Sequence, residues 1–309
     1  MNDNLARVPG EDSAEPGVPA GTLLAPLRPS RSFYSLALGQ LLKNKVAVLG
    51  GLLVLVEIVV AILAPYLAPL DPLKQDLKSV LLPPLTAGHL MGTDDLGRDM
   101  LSRIIYGARI SLLVGVAVVG IATVVGVPVG AVAGYSRKLD RWISMGVDTL
   151  LAFPGILLAL AIVAALGPGL INVMIAVGIY SMPMYIRVVR AQVLSLKERE
   201  FATAARAIGV RETGILFRHI LPNCIGPVIV QATINVGTAI LSAASLSFLG
   251  VGVQPPTPEW GAMLSKSRLY VVTAPHAVTF PGLAIMSVVL GFNLLGDGLR
   301  DALDPRFRR

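Results

Sequence analysis

Long apolar runs separated by short polar segments set the pattern of this chain. Six runs stand out, at residues 46–68, 110–134, 143–166, 171–189, 225–246 and 278–295. Each is close to or above the roughly 20 apolar residues that a helix needs to cross a hydrocarbon core of about 30 Å. The pattern therefore predicts an all-α integral membrane protein, a bundle of six spans. Only Gly167-Pro168-Gly169-Leu170 separates the third run from the fourth, which predicts a tight helical hairpin. Residues 1 to about 30 are rich in Pro, Gly, Ala, Asp and Glu and are expected to be disordered. No apolar stretch follows an early basic cluster, so no signal peptide is expected there.

Composition sharpens this reading. Hydrophobic residues make up 54% of the 309 and charged residues 15%, against about 25% charged in a soluble domain. The net charge of +7 comes from basic residues flanking the apolar runs, with no basic and aromatic stripe, so nucleic-acid binding is not expected. Six spans put both termini on one side. Nineteen Lys and Arg lie on that side and seven on the other. Basic residues favour the cytoplasm, so both termini are expected there. Cys224 is the only cysteine and excludes an intrachain disulfide. His89, His219 and His276 show no ligand spacing, and no metal site is expected.

Within the spans, Gly126, Gly130 and Gly134 are spaced four apart and form one flat stripe where another backbone can approach closely. Pro128, Pro154, Pro183 and Pro281 lie in or near spans, where neighbouring helices re-satisfy the backbone. Glu57 stands near the middle of the first span, where a free charge costs about 3 to over 10 kcal/mol. It is expected to be protonated or paired inside the bundle, as a structural residue rather than a proton relay.

The segment between the fourth and fifth runs is the most informative. It reads Glu200-Phe201-Ala202-Thr203-Ala204-Ala205-Arg206-Ala207-Ile208-Gly209, then His219-Ile220-Leu221-Pro222-Asn223. Residues 202–208 are mostly small helix formers. Gly209 is placed to cap that helix, and Pro222 to halt the next helical stretch before the fifth span. A short helix across the membrane face is expected, with Ala204 and Ala205 small enough to enter a groove of another protein. The segment resembles the coupling motif of ABC importer permeases, Glu-Ala-Ala, three residues, Gly, nine residues, Ile-x-Leu-Pro. Ala204, Ala205, Gly209, Leu221 and Pro222 match, while Thr203 stands for the Glu and His219 for the first Ile. The form Ala-Ala-Arg-Ala-Ile-Gly followed by Arg-His-Ile-Leu-Pro-Asn resembles the peptide and nickel branch of that family.

Three other segments are similar to the same branch: Gly92-Thr93-Asp94-Asp95-Leu96-Gly97-Arg98-Asp99 and its continuation to Leu112, Gln254 to Leu264, and Leu294 to Pro305. They also read plainly. Met100, Leu101, Ile104 and Ile105 share a helical face and Asp99 can pair with Arg103, which predicts an amphipathic helix at the outer surface. Thr257 is placed as an N-cap and Pro258 as the first residue of a helix over 258–270. Asp297, Arg300 and Asp301 stand three and four apart and can pair.

The resemblance covers about residues 35–306 and is closest to the C-type permease of dipeptide, oligopeptide and glutathione importers. It implies the type I ABC importer (MetI-like) transmembrane fold. Its divisions are a cytoplasmic tail at 1–45, a first span at 46–68, an external segment at 69–108, the permease domain at 109–298 and a cytoplasmic tail at 299–309. It implies that Thr203, Ala204, Ala205, Gly209, His219, Leu221 and Pro222 form the site that docks on an ATPase. Asp94, Arg98, Asp99, Glu259 and Trp260 would serve the external gate and contact with an external peptide-binding protein. The other partners implied are a homologous B-type permease and two ABC ATPase subunits, in a bacterial cytoplasmic (inner) membrane. The chain carries no Gly-x4-Gly-Lys-Ser/Thr phosphate loop, so ATP and Mg²⁺ are expected on those partner ATPases, with no cofactor on this chain. No paired carboxylate or Ser/His/Asp arrangement stands out, so no enzyme is expected. A proton-coupled secondary transporter working through Glu57 is the rival reading, and it would carry an internal repeat that this sequence lacks.

The basic asymmetry yields a direct test of topology. A reporter fused after Arg141 should read cytoplasmic and one within residues 73–85 external, and an external signal at Arg141 would overturn the orientation.

Overall fold

The computed structural model describes residues 33–86 and 88–303, and among these the regular structure is helical, with no strand. The disorder expected before residue 30 lies outside the described residues, as does the end of the C-terminal motif at Asp304 and Pro305. In chain order the helices are α1 (Phe33–Lys43), α2 (Lys45–Ile62), α3 (Ala64–Leu67), α4 (Met100–Tyr135), α5 (Arg137–Ala152), α6 (Gly155–Leu166), α7 (Leu170–Leu196), α8 (Glu200–Ala207), α9 (Glu212–Gly214), α10 (Leu221–Phe248), α11 (Trp260–Ser267) and α12 (His276–Leu303). A π turn at Ile215–Ile220 joins α9 to α10, so that Glu212–Phe248 is one helix of 37 residues.

Among the described residues five helices are long and apolar enough to cross a membrane: α2, α4, α7, Glu212–Phe248 and α12. The remaining expected span, 143–166, is α5 and α6, bent by 92° at their junction. Pro154 explains the break. It has no N–H to donate, and its ring pushes the preceding residue out of the α region. Phe153 accordingly sits in extended backbone at ψ 139°. The apolar run passes straight through this point, so hydropathy alone joined the two halves.

Two further expectations are corrected. Residues 100–108 are not a separate helix on the outer surface. They are the first turns of α4, whose 36 residues make a rod of about 54 Å at 1.5 Å per residue. Asp99 starts it by accepting the Ser102 N–H at 2.8 Å. Nor does Pro222 halt a helix. The Leu221 N–H reaches back five residues to the Leu216 carbonyl, and the wider π turn relaxes the i→i−4 alignment that the proline ring would violate. The Asn223 side chain donates to the His219 carbonyl at 2.6 Å.

The bundle is built on α4 and α7, which pack along each other; α10 lies between α4 and α12, and α2 covers α12. The glycine stripe makes the α4–α7 contact. A Cβ at Gly126 would come within 2.6 Å of Tyr185 Cβ, one at Gly130 within 2.7 Å of the Ile186 carbonyl, and one at Gly134 within 2.7 Å of Val193 Cβ. The stripe therefore serves packing inside this chain. Glu57, in α2, accepts a hydrogen bond from Ser287 Oγ of α12 at 2.6 Å, so it is paired within the bundle. Two faces result. One, here the termini side, carries α1, α8 and the last turns of α4, α7 and α12. The far face carries residues 69–99, the α6–α7 hairpin and α11.

Replacing Gly130 by Leu should force α4 and α7 apart and destabilise the chain by about 1–3 kcal/mol or more. Gly120→Leu, where nothing lies within 4 Å of the added Cβ, should change little. Thermal unfolding of both variants in detergent checks this; equal melting temperatures would show that the stripe carries no packing.

Candidate functional site

On the termini side, α8 is a one-sided helix. Ala202 and Ala205 are buried against Val193, Leu196, Ile215 and Ile220 of the same chain. Thr203, Ala204 and Ala207 face outward. The expectation that Ala204 and Ala205 both enter another protein's groove is thus corrected: Ala205 holds α8 to the bundle and Ala204 is the free neighbour. A helical period puts residues 202 and 205 on one face and 204 on another. Gly209 is the C′ residue, with φ +81°. The Val210 N–H returns to the Ala205 carbonyl at 3.1 Å and the Gly209 N–H to Arg206 at 3.0 Å, a Schellman closure. A Cβ at Gly209 would meet no atom within 4 Å, so its backbone angle, not space, requires glycine.

Side chains then fasten this element to the bundle. Glu212 accepts from Tyr135 Oη at the end of α4 and from Arg206 Nε at 3.2 Å. Arg206 also donates to the Lys197 carbonyl at 3.3 Å, and Lys197 Nζ caps the Gly134 carbonyl at 2.9 Å. His219 and Pro222 are exposed, and Leu221 half-buried, along the π turn and the start of α10. The face leaves uncovered Phe201 at 38%, Ile208 at 81% and Phe217 at 65% exposure. Those three apolar residues were not singled out from sequence, because an apolar residue at a helix end is equally compatible with burial.

On the far face, the expected contact residues turn out to be interior. Asp94, Arg98, Asp99, Glu259 and Trp260 are each at most 4% exposed. Asp94 accepts from the Leu96 and Arg98 N–H groups at 2.9 Å, its second oxygen from Arg98 Nε at 2.6 Å, and Arg103 Nε lies 3.3 Å away. The expected Asp99–Arg103 pair does not form. Asp99 faces His89 Nδ1 at 2.9 Å, and Arg103 donates to the Pro72 carbonyl at 3.0 Å. Charges without water need such partners, which is why these groups turned inward. They tie residues 69–99 onto α4, with His276 Nε2 adding 3.2 Å to the Thr93 carbonyl.

Trp260 Nε1 donates to the Ile104 carbonyl at 3.0 Å, its indole filling the space left by Gly107. The expected cap at Thr257 is replaced by Glu259, which accepts the Gly261 and Ala262 N–H groups at 2.8 Å. The helix begins at Trp260 rather than Pro258 because Glu259 satisfies two of its orphan donors. Burial pushes the Glu259 carboxyl above the ordinary carboxylate range, opposed by those hydrogen bonds. Asp297, Arg300 and Asp301 form no ion pair among the described residues. Beside this cap lies an open groove of about 670 Å³ lined by Pro65, Pro69, Pro72, Tyr106, Pro256 and Pro258. Among the described residues no cluster of His, Cys, Asp and Glu is placed to hold a metal ion.

Comparisons with known proteins agree with this architecture. Residues 126–309 match the family described as binding-protein-dependent transport system inner membrane component, and residues 32–84 match the N-terminal TM domain of oligopeptide transport permease C. The dipeptide transport system permease protein DppC of Alkalihalophilus pseudofirmus is 52% identical, over 88% of this chain and 90% of that one. The di/tripeptide transport system permease protein DppC of Pseudomonas aeruginosa is 50% identical, over 84% and 88%. The glutathione transport system permease protein GsiD of Pectobacterium atrosepticum is 47% identical, over 91% and 92%. The inward-facing MetNI methionine ABC transporter shares the fold, with a TM-score of 0.56 at 19% identity, over 66% of this chain and 98% of that one.

The buried far-face ions make a clear prediction. Asp94→Asn leaves Arg103 buried without a counter-charge and Arg98 with only the looser Asp95 contact, and should cost about 3–5 kcal/mol of stability. Asp95→Asn, at a looser and partly exposed position, should stay within about 0.5 kcal/mol. Thermal unfolding distinguishes them, and equal stability of the two variants would contradict the assignment.

Proposed function

The chain belongs to the family of binding-protein-dependent transport system inner membrane components, and from there we propose that it is the C-type permease of an ATP-driven peptide importer. The observation that carries the substrate class is the likeness to permeases named for dipeptides, di- and tripeptides and glutathione, which runs along 84–91% of this chain. A homologous B-type permease supplies the other half of the pathway. Two ABC ATPase subunits bind ATP and Mg²⁺, and an external binding protein delivers the peptide. The site is the bacterial cytoplasmic membrane, with both termini cytoplasmic, in keeping with the nineteen basic residues on the termini side.

In this reading the outward face of α8, with Phe201, Ala204 and Ile208, seats in the ATPase. The Glu212 contacts to Tyr135 and Arg206 pass its displacement to α4. The continuous helix Glu212–Phe248 carries the same displacement to the far face as a lever of about 55 Å. Residues Asp94, Arg98, Asp99, Glu259 and Trp260 act from inside the far-face cap, holding the shape of the surface that the binding protein meets. A proton-coupled carrier working through Glu57 is not supported, because the family is one of binding-protein-dependent transport and Glu57 is engaged by Ser287.

A pair of adjacent substitutions tests the coupling role. Ala204→Glu adds a charge that must be desolvated on docking. It should preserve thermal stability while lowering ATPase co-purification and uptake of labelled dipeptide about tenfold, the equivalent of about 1.4 kcal/mol. Ala205→Glu places the same charge inside the chain's own packing and should lower the yield of folded protein. Full ATPase retention and normal uptake in Ala204→Glu would remove α8 as the coupling element. Uptake of methionine but not of dipeptides by the unaltered transporter would overturn the substrate class while leaving the coupling role standing.

A further inference from the structure

Three carboxyl groups are buried in the far-face cap. Asp94 lies between two arginines and Asp99 faces His89. Glu259 is as deeply buried, at 4% exposure, yet it forms no ion pair with Lys, Arg or His among the described residues. Its partners are neutral donors. Its two oxygens accept the Gly261 and Ala262 N–H groups at 2.8 Å, and the Ser247 hydroxyl donates to the same carboxyl. A carboxylate offers about four acceptor positions, so one remains after these three.

A second buried group is short of a partner. Ser111 of α4 is 2% exposed, and its hydroxyl meets no hydrogen-bond partner among the described residues. Burying a hydroxyl unpaired is costly, and folded proteins pair nearly all such groups.

Both shortfalls face one space. Ser111, Ser247 and Glu259 line a cavity of about 10 Å³ where α4 and α10 meet the cap. Its remaining wall is aliphatic, with Val114 of α4, Val173 of α7 and Ile240 of α10. A single water needs about 10–15 Å³ of such space and two to four polar partners. The donors and acceptors here balance around one. The water accepts the Ser111 O–H and gives one hydrogen to the free acceptor position of Glu259. Its other hydrogen goes to Ser247 Oγ, which accepts the Val253 N–H at 3.3 Å and has a second lone pair. Three bonds are usual for a buried water. A hard cation does not suit the same wall, because three side-chain oxygens fall short of the roughly six to eight that calcium takes. The amide and hydroxyl hydrogens around Glu259 already offset its charge.

We propose that one water molecule is bound in this cavity between Ser111, Ser247 and Glu259, and that it ties α4 and α10 to the start of α11. Ser111 is then a positioning residue of the far-face cap. Through the water it holds Glu259, which starts the helix that seats Trp260 against Gly107. This holds whatever substrate the chain carries.

The transporter complex purified from its native membrane allows two independent tests. Electron cryomicroscopy at a resolution that shows ordered water should place one peak about 2.7–3.2 Å from Ser111 Oγ, Ser247 Oγ and a Glu259 oxygen. No peak there would overturn the proposal, and so would a peak with contacts of about 2.3–2.6 Å, the spacing of a metal cation. The sign of a stability change is the other test. Ser111→Ala removes the donor that holds the water and should lower the thermal midpoint by about 2–4 °C. A dry, unpaired hydroxyl would behave oppositely, since its removal relieves a buried polar group and raises the midpoint. An unchanged or raised midpoint therefore overturns the proposal. The Ser111→Ala map should show the peak weakened or lost. A lowered midpoint with the peak at full strength would assign the loss to packing and remove Ser111 as the residue that positions Glu259.

Discussion

Three glycines on α4 let its backbone lie directly against α7, and most of the molecule is placed by that contact. In lipid, apolar side chains gain little by leaving one hydrocarbon surface for another, so helices associate through close van der Waals fit and small residues. Gly126, Gly130 and Gly134 provide the fit against Tyr185, Ile186 and Val193. Once α7 is fixed, its hairpin fixes α6, its arginines hold α5, and its last turn presents α8. Lys197 closes the arrangement by capping the Gly134 carbonyl at the end of the same stripe.

The two ends of the bundle solve opposite problems. The far face must hold a long loop onto the membrane helices without a core of its own. It does so with buried charge held in opposite-charge pairs: Asp94 between Arg98 and Arg103, Asp99 between His89 and the first turn of α4. Such a network is rigid, because removing one member strands the others. The termini side does the reverse. It buries Ala202 and Ala205 and leaves Phe201, Ile208 and Phe217 in the open, an apolar surface that the described residues do not cover. A stiff cap at one end and an uncovered helix at the other suit a subunit that is moved from one side, and the continuous helix Glu212–Phe248 joins the two.

The candidate site was legible to different depths. Gly209 as a cap could be read from the small-residue helix before it, because a left-handed turn selects glycine for a local reason. The inward turn of Ala205 and the outward one of Ala204 could not, because two alanines look alike until a neighbouring surface exists. Asp99 and Arg103, four residues apart, had the spacing of a helical pair, yet each found a better partner in the loop: His89 for Asp99, and Asp94 and the Pro72 carbonyl for Arg103. Glu259 displaced Thr257 as the cap because its two carboxyl oxygens each take a separate backbone donor, whereas a threonine offers a single side-chain oxygen.

What the sequence determined by itself is whatever depends on local chemistry and on the bilayer as solvent. Helical spans follow from the length of the apolar runs, the α6–α7 hairpin from Gly167-Pro168-Gly169, and the flat stripe on α4 from three glycines one turn apart. What only the tertiary structure decided is which surface each face meets. It turned the glycine stripe toward α7 of the same chain, bent residues 143–166 at Pro154 into a short helix and a crossing one, and drew the far-face charges inward. Hydropathy measures how much a residue avoids water and carries no direction. Direction is set by partners brought together from distant parts of the chain, as when Trp260 meets Gly107 or Arg190 meets Asp140.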